Sequence, residues 1–192
     1  ERIMETSIAQ ELEVSRSPIR EALRILEKNR LVELIPRRGA RVTELSETFI
    51  SHLCDVLAAL LSLTARELVL NGSEKDLNAI DQAARKGEEC VANEDLYGYY
   101  TSIFEFAIAC LKATHNPLLE QMVSELMPNV RRVLYASLST KKEALQNNVQ
   151  TVLTGNQYIQ ERNGNMAEKT VCDYIQRSKD FAIKNQMVVS SK

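Results

Sequence analysis

Three arginines spaced four residues apart, Arg16, Arg20 and Arg24, are the side chains best able to engage a partner chemically. A guanidinium is planar, permanently charged and rich in donors, so a row of them suits phosphates and base edges. A second basic group follows at Arg37-Arg38, next to Gly39. Groups for catalysis are scarce. There is no Gly-rich phosphate loop, no G-x-S-x-G, no H-E-x-x-H and no plausible Cys/His pair. Two histidines, His52 and His115, leave few general bases near neutral pH. An enzyme is not expected, and no cofactor is expected.

The arginines need a helix to carry them. In VSRSPIREALRIL, Ser15 is a good N-cap and Pro18 falls in the first turn, where its missing N–H costs nothing. Ile19, Ala22, Leu23 and Leu26 form the buried stripe of a helix from Arg16 to Lys28. Upstream, ETSIAQEL is a two-turn helix with Ile8, Ala9 and Leu12 inward, and Glu13-Val14 make the turn. The pair is a helix-turn-helix. Val32 and Leu34 then alternate with Glu33, and Ala40 and Val42 with Arg41, as in a strand pair closed by Pro36-Arg37-Arg38-Gly39. Such a basic hairpin is a wing. Its tip offers Arg37 and Arg38 to phosphates or a minor groove, while Gly39 takes a positive φ and permits close backbone approach. Alone, the arginine row would read as a solvated face. With the wing it reads as a contact for double-stranded DNA.

The bulk properties agree with a soluble protein without announcing this partner. The net charge of the 192 residues is −2, but residues 1–43 hold nine Lys/Arg against seven Asp/Glu and the remainder 15 against 19. Few Gly and Pro favour long helices, and the sequence from Ser46 onward reads as six of them. Ser46 caps the first, ended by Asn71-Gly72, and Ser73 caps the second with Asp76 in a capping box. The third starts near Asp95 and ends before His115-Asn116-Pro117, where His115 is placed as a C-terminal cap. The fourth runs from Pro117 to about Leu138, with Pro128 expected to kink or divide it. The fifth starts at Ser139-Thr140, and the sixth runs from the Asn163-Gly164-Asn165 break to about Gln186. The fold class is mainly α: a winged helix-turn-helix over residues 1–44, an all-α six-helix bundle over 45–187 and a loose tail over 188–192. The scattered Cys54, Cys90, Cys110 and Cys172 are expected to be reduced. The apolar run from Val56 to Leu63 is too short to span a bilayer. A cytoplasmic protein with no membrane partner is therefore expected.

The string VSRSPIREAL, together with Glu5, Ile8-Ala9, RLVE and PRRGARV, resembles the winged-helix domain of the GntR family of bacterial transcription regulators. The resemblance implies that Ser15, Arg16, Ser17 and Arg20 contact phosphates and base edges, and that Arg38-Gly39 enter the minor groove. Many relatives carry Arg at the position of Thr6, so one base contact is altered here. The family's first helix would precede Arg2, so this block is expected to be truncated at its N-terminal side. The six helices resemble the effector-binding FCD domain of the FadR branch, anchored by Asn116-Pro117-Leu118-Leu119. Members with a metal place an Asp and three His in the bundle. Those positions fall here on Ser102, Phe106, a residue near Val152, and Tyr174, so no metal is expected.

The resemblance instead points to an effector pocket. Tyr99, Ser102, Phe106, Arg132, Tyr135 and Tyr174 are its candidate residues, with Tyr100 and Arg131 on the same two helices. An Arg with Tyr hydroxyls would hold a carboxylate or phosphate head group, such as that of an acid or acyl compound. The alternative is that the aromatics are core and the arginines surface. DVLAALLSL is apolar nearly all round, where relatives carry Arg and Glu at the positions of Leu57 and Leu61, and this predicts a homodimer with the helix at or near the interface. The resulting expectation is a regulator, in most relatives a repressor, with a small-molecule effector. The competing reading is a DNA-binding dimer whose bundle senses no ligand.

Overall fold

The computed structural model describes residues 2–36, 38–137 and 142–189. Arg37, the Ser139-Thr140 helix start and residues 190–192 of the expected tail lie outside them. In chain order the elements are β1 (Arg2–Ile3), α1 (Glu5–Glu11), α2 (Arg16–Lys28), β2 (Val32–Ile35) and β3 (Gly39–Val42). Six helices follow: α3 (Glu47–Asn71), α4 (Glu74–Ala92), α5 (Leu96–Lys112), α6 (Pro117–Ser137), α7 (Lys142–Gln160) and α8 (Gly164–Val189). The architecture is a winged helix-turn-helix followed by a six-helix bundle, as the patterning indicates.

Ala9, Ile19, Leu23, Val32 and Ala40 close a small core between α1, α2 and the sheet, flanked by Ile3, Ile8, Leu26 and Leu34. Two inward assignments fail: Leu12 is 60% exposed and Ala22 also faces solvent. No described element packs on that side of α1 and α2, so the buried stripe is narrower than the periodicity suggests. Glu13, at φ 54°, turns the chain between the helices. Ser15 occupies the N-cap position in extended geometry, but its side chain makes no capping hydrogen bond. The sheet has a strand that patterning missed. β1 pairs antiparallel with β3, placing Ile3 opposite Ala40, and β2 lies on the far side of β3 with Leu34 opposite the same Ala40. Two residues are too few to show a period of two.

In the bundle, Ile50, Leu53 and Leu57 of α3 pack on Leu119, Val123 and Val133 of α6 and on Ile175 and Ala182 of α8. Further along, Ala65 and Leu68 meet Leu77 and Ile80 of α4. The caps follow the sequence. Ser46 accepts from the Phe49 N–H at 3.2 Å, and Ser73 with Asp76 forms a complete capping box. Asp95 accepts from the Gly98 N–H at 2.8 Å. Such caps contribute on the order of 1 kcal/mol each.

Several breaks differ in detail. Gly72 lies at φ −63°, so α3 ends without the expected left-handed glycine cap. The left-handed residue after α5 is His115, at φ 53°, and its Nε2 sits 3.1 Å from the Asp76 carboxylate. Pro128 does not divide α6, which is assigned without interruption through it. At the Asn163-Gly164 break, Arg162 takes the positive φ and Asn163 Oδ1 accepts from the Met166 N–H, so Gly164 opens α8. That helix continues to Val189, which makes residues 188–189 helical instead of loose.

Candidate nucleic-acid interface and bundle cavity

An open cleft of about 510 Å³ lies between α1, the exposed side of α2 and the wing. Thr6, Arg16, Arg20, Arg24, Arg38 and Gly39 border it. Residues from three elements thus converge, including Arg24, which is not among the contacts that the family resemblance implies. Ser15 and Ser17 stand exposed at the α2 N-terminus, outside the lining. There the unpartnered Ser15 hydroxyl and the first helical N–H groups form a ready site for a phosphate.

The electrostatics are specific. Arg20 donates through Nη2 and Nε to the two Glu5 oxygens, at 2.9 and 3.3 Å. This bidentate bond fixes the guanidinium plane. The Arg20 hydrogen bond, helped by the charges of Arg16 and Arg24, holds the Glu5 carboxyl below its usual range. Arg24 pairs with Glu21 at 2.8 Å, whereas Arg16 and Arg38 have no ion pair among the described residues. Sequence reasoning missed Glu5 as the residue that orients Arg20. The signal was an acid on α1 and a base on α2 facing across a tight turn.

Gly39 holds the wing to the rest of the sheet. At φ +86° it lies where an L side chain is strained, and a Cβ there would overlap the Ile3 carbonyl oxygen. Arg2 adds to this join by donating to the Arg38 carbonyl from Nε and Nη2, at 3.1 and 3.0 Å. The close approach that requires glycine is therefore to β1. Gly39→Ala should destabilise the winged helix by about 1–3 kcal/mol. Thermal unfolding followed by circular dichroism should show a lowered transition; an unchanged one would contradict the geometry.

The bundle holds a partly open cavity of about 160 Å³ between α3 and α5–α8. Of the six expected effector residues, only Phe106 and Tyr174 line it. Ser102 is buried and donates to the Tyr99 carbonyl at 2.7 Å, and Tyr99 packs with Val91 and Val149. Tyr135 is 73% exposed and meets Tyr100 edge-on at 6.0 Å. Arg132 does not reach the cavity. It donates to the Thr43 hydroxyl at 2.9 Å and to the Thr43 carbonyl at 2.6 Å. The expected arrangement of Arg and Tyr hydroxyls around an acidic head group is therefore not assembled. Helical period explains why: Met127, Val130, Val133 and Leu134 face the cavity, and Asn129 and Arg132 are directed towards the winged helix. Asn129 Nδ2 donates to the carbonyl of Asn29, the C-cap of α2, at 2.7 Å.

The side chains at the positions where relatives place a metal do not fit one. Ser102, Phe106 and Tyr174 offer no carboxylate or imidazole, nor does Val152, near which the remaining position falls, and the described residues contain no group of three or more His, Cys, Asp or Glu able to hold an ion. Burial pushes the Cys54 thiol up to about 11 and Cys110 up to about 12. Both should resist maleimide at pH 8 in the native protein and react on unfolding, as read by mass spectrometry. Rapid native labelling of Cys110 would contradict its burial.

The winged helix and bundle together match known families. The model of the bacterial regulatory proteins of the gntR family matches residues 1–42, and the FCD domain model matches residues 52–177. The chain belongs to the gntR family and carries an FCD domain. This gntR-family chain is 32% identical over 93 residues to the HTH-type transcriptional regulator YdhC of Bacillus subtilis (strain 168), covering 48% of this chain and 42% of that protein. It is 28% identical over 142 residues to the gluconate operon transcriptional repressor of the same organism, covering 72% and 57%. The chain thus spans about half the length of these two relatives. Its fold is that of McbR/YncC of E. coli (TM-score 0.81, 16% identity, 96% of this chain and 87% of that one). It is also that of a GntR regulator from Rhodococcus sp. RHA1 (TM-score 0.76, 20% identity, 95% and 87%). The curated relatives and the Rhodococcus structure that it resembles are transcription regulators. Among the described residues, no helix is long and apolar enough to cross a membrane.

Proposed function

We propose that this regulator works as a cytoplasmic homodimer, grips an operator with two winged helices, and is controlled by a small molecule entering the bundle cavity. Repression is the expected sign, by analogy with the gluconate operon transcriptional repressor, to which the chain is similar. Thr6, Ser15, Arg16, Ser17, Arg20, Arg38 and Gly39 are the proposed DNA contacts, joined by Arg24; Arg37 belongs to the same set but lies outside the described residues.

The observation that carries this reading is the double attachment of α6. One side of the helix lines the cavity, and the other holds the α2 C-cap through Asn129 and the segment after β3 through Arg132. A ligand that moves α6 therefore reorients the recognition helix and the wing. The shift can be no larger than the ligand's differential affinity for the two arrangements, typically about 1–3 kcal/mol. The presence of the cavity favours this reading over a bundle that only dimerises.

Dimerisation is supported by the outer face of α3. Val56 is 51% and Leu70 79% exposed, with Ala59, Leu63 and Arg66 completing the stripe at helical spacing. On α6, packed beside α3, Leu118 is 65% and Met122 48% exposed. A second copy of this face would cover both.

The attachment is tested by Arg132→Ala. Its two bonds are partly buried and charge-assisted, so about 1.5–3 kcal/mol of domain coupling should be lost. Operator affinity by fluorescence anisotropy should fall roughly 3- to 10-fold although Arg132 lies outside the DNA-facing cleft. Unchanged affinity would contradict the role given to α6.

A further inference from the structure

The lining of the bundle cavity carries a statement about ligand chemistry. Among the described residues, no Asp, Glu, Lys, Arg or His borders it. Leu57, Leu61, Phe106, Val130 and Val171 typify its wall. Its few hydroxyls are largely spent. Thr64 donates to the Leu60 carbonyl at 2.9 Å, Thr170 to Met166 at 2.8 Å, and Thr151 to Asn147 at 2.9 Å while also accepting from Arg177 at 2.7 Å. One buried polar atom in the wall lacks a partner of good geometry, the Tyr174 hydroxyl. Ser178, one turn further along α8, brings a second hydroxyl close enough to favour the ionised phenol slightly against the effect of burial, but without good hydrogen-bond geometry.

A buried hydroxyl without a partner costs free energy, so such atoms call for an explanation. An ionised carboxylate would be still more costly in this cavity, since no lining cation would compensate its lost hydration. The charge of Arg177 acts on Tyr174, but Arg177 is exposed and bound to Thr151 Oγ1 and the Asp173 carbonyl. The volume, about 160 Å³, is close to that of apolar protein cavities that stay dry and admit benzene.

We propose that the bundle cavity binds a small uncharged molecule, an apolar ring or short chain with one hydroxyl or carbonyl oxygen hydrogen-bonded to Tyr174. This inference rests on the effector reading above and specifies its ligand class. The oxygen, with Ser178 alongside, supplies the partner that the phenol lacks. The apolar body displaces no ordered charge and fills space that the protein leaves empty.

Three matched probes test it on the full chain without DNA: toluene, p-cresol and 4-methylbenzoate, measured by calorimetry and by thermal shift. p-Cresol should bind tightest, toluene roughly 3- to 10-fold more weakly, and the carboxylate at least about 100-fold more weakly than p-cresol. Tyr174→Phe should reduce p-cresol to the level of toluene while leaving toluene unchanged, which separates the hydrogen bond from a general loss of fold. Tightest binding by 4-methylbenzoate would overturn the neutral-ligand inference and keep the effector reading. No binding of any probe at millimolar concentration would overturn both, leaving the DNA-binding assignment untouched.

Discussion

Replacing Arg16 and Arg20 together by Ala abolishes sequence-specific DNA binding on this account. Both side chains border the cleft between α2 and the wing, and both are exposed, Arg20 at 53%. A bidentate arginine to a guanine edge discriminates by about 1–3 kcal/mol, so losing two removes about 2–6 kcal/mol, or more than 30-fold in affinity. Arg20→Ala also strips Glu5 of its partner. The freed carboxylate then faces phosphates, and the loss exceeds that of the contact alone. Pairing Arg20→Ala with Glu5→Ala should recover part of it. Exposed substitutions of this kind change stability by no more than about 0.5 kcal/mol, so unfolding does not account for the effect. Gel shift against a selected duplex measures it. If the arginines were a solvated face, affinity would be unchanged, and if they touched only phosphates, weakening would be uniform across sequences with a reduced salt slope.

A single charge on the outer stripe of α3 or on the adjoining face of α6 should separate the protomers. Val56→Glu or Leu118→Glu places a carboxylate on side chains that are 51% and 65% exposed in one chain. In an isolated chain such changes are nearly neutral. At a symmetric interface each charge is buried twice without a partner, costing several kcal/mol in total. Analytical ultracentrifugation should show a dimer for the parent and a monomer for either variant, with unaltered helical content. Operator affinity should fall by roughly 100-fold or more, because two half-sites no longer bind as one unit. A parent that sediments as a monomer would refute this placement.

Local signals carried most of the fold. The helix-turn-helix, the hairpin register and the caps at Ser46, Ser73 and Asp95 depend on residues a few positions apart, so they were readable before any packing was known. Tertiary facts were not. The strand at Arg2–Ile3 exists only because β3 offers it an edge. Leu12 and Ala22 have helical periodicity inward but no element to meet. Pro128 leaves α6 assigned as one helix because packing on α3 and α8 outweighs one lost hydrogen bond. The cavity was the least legible feature. Arg132 and the cavity-facing Val133 are neighbours in sequence, yet the turn of the helix sends one to Thr43 and the other to the cavity. Phe106 and Tyr174 were legible because the family resemblance puts them at the centre of the bundle. Glu5 was overlooked because an acid beside a DNA-binding surface contradicts the simple charge argument, although it orients Arg20.

Two copies of this winged helix are proposed to read a symmetric operator. Selection of duplexes from a random library by this chain, followed by sequencing, tests that reading. The expected result is enrichment of a two-fold symmetric site whose half-sites lie about one helical turn, or a multiple of it, apart, and none by the Arg16→Ala/Arg20→Ala protein. Failure of the parent to enrich any sequence, or equal enrichment by the double variant, would contradict it.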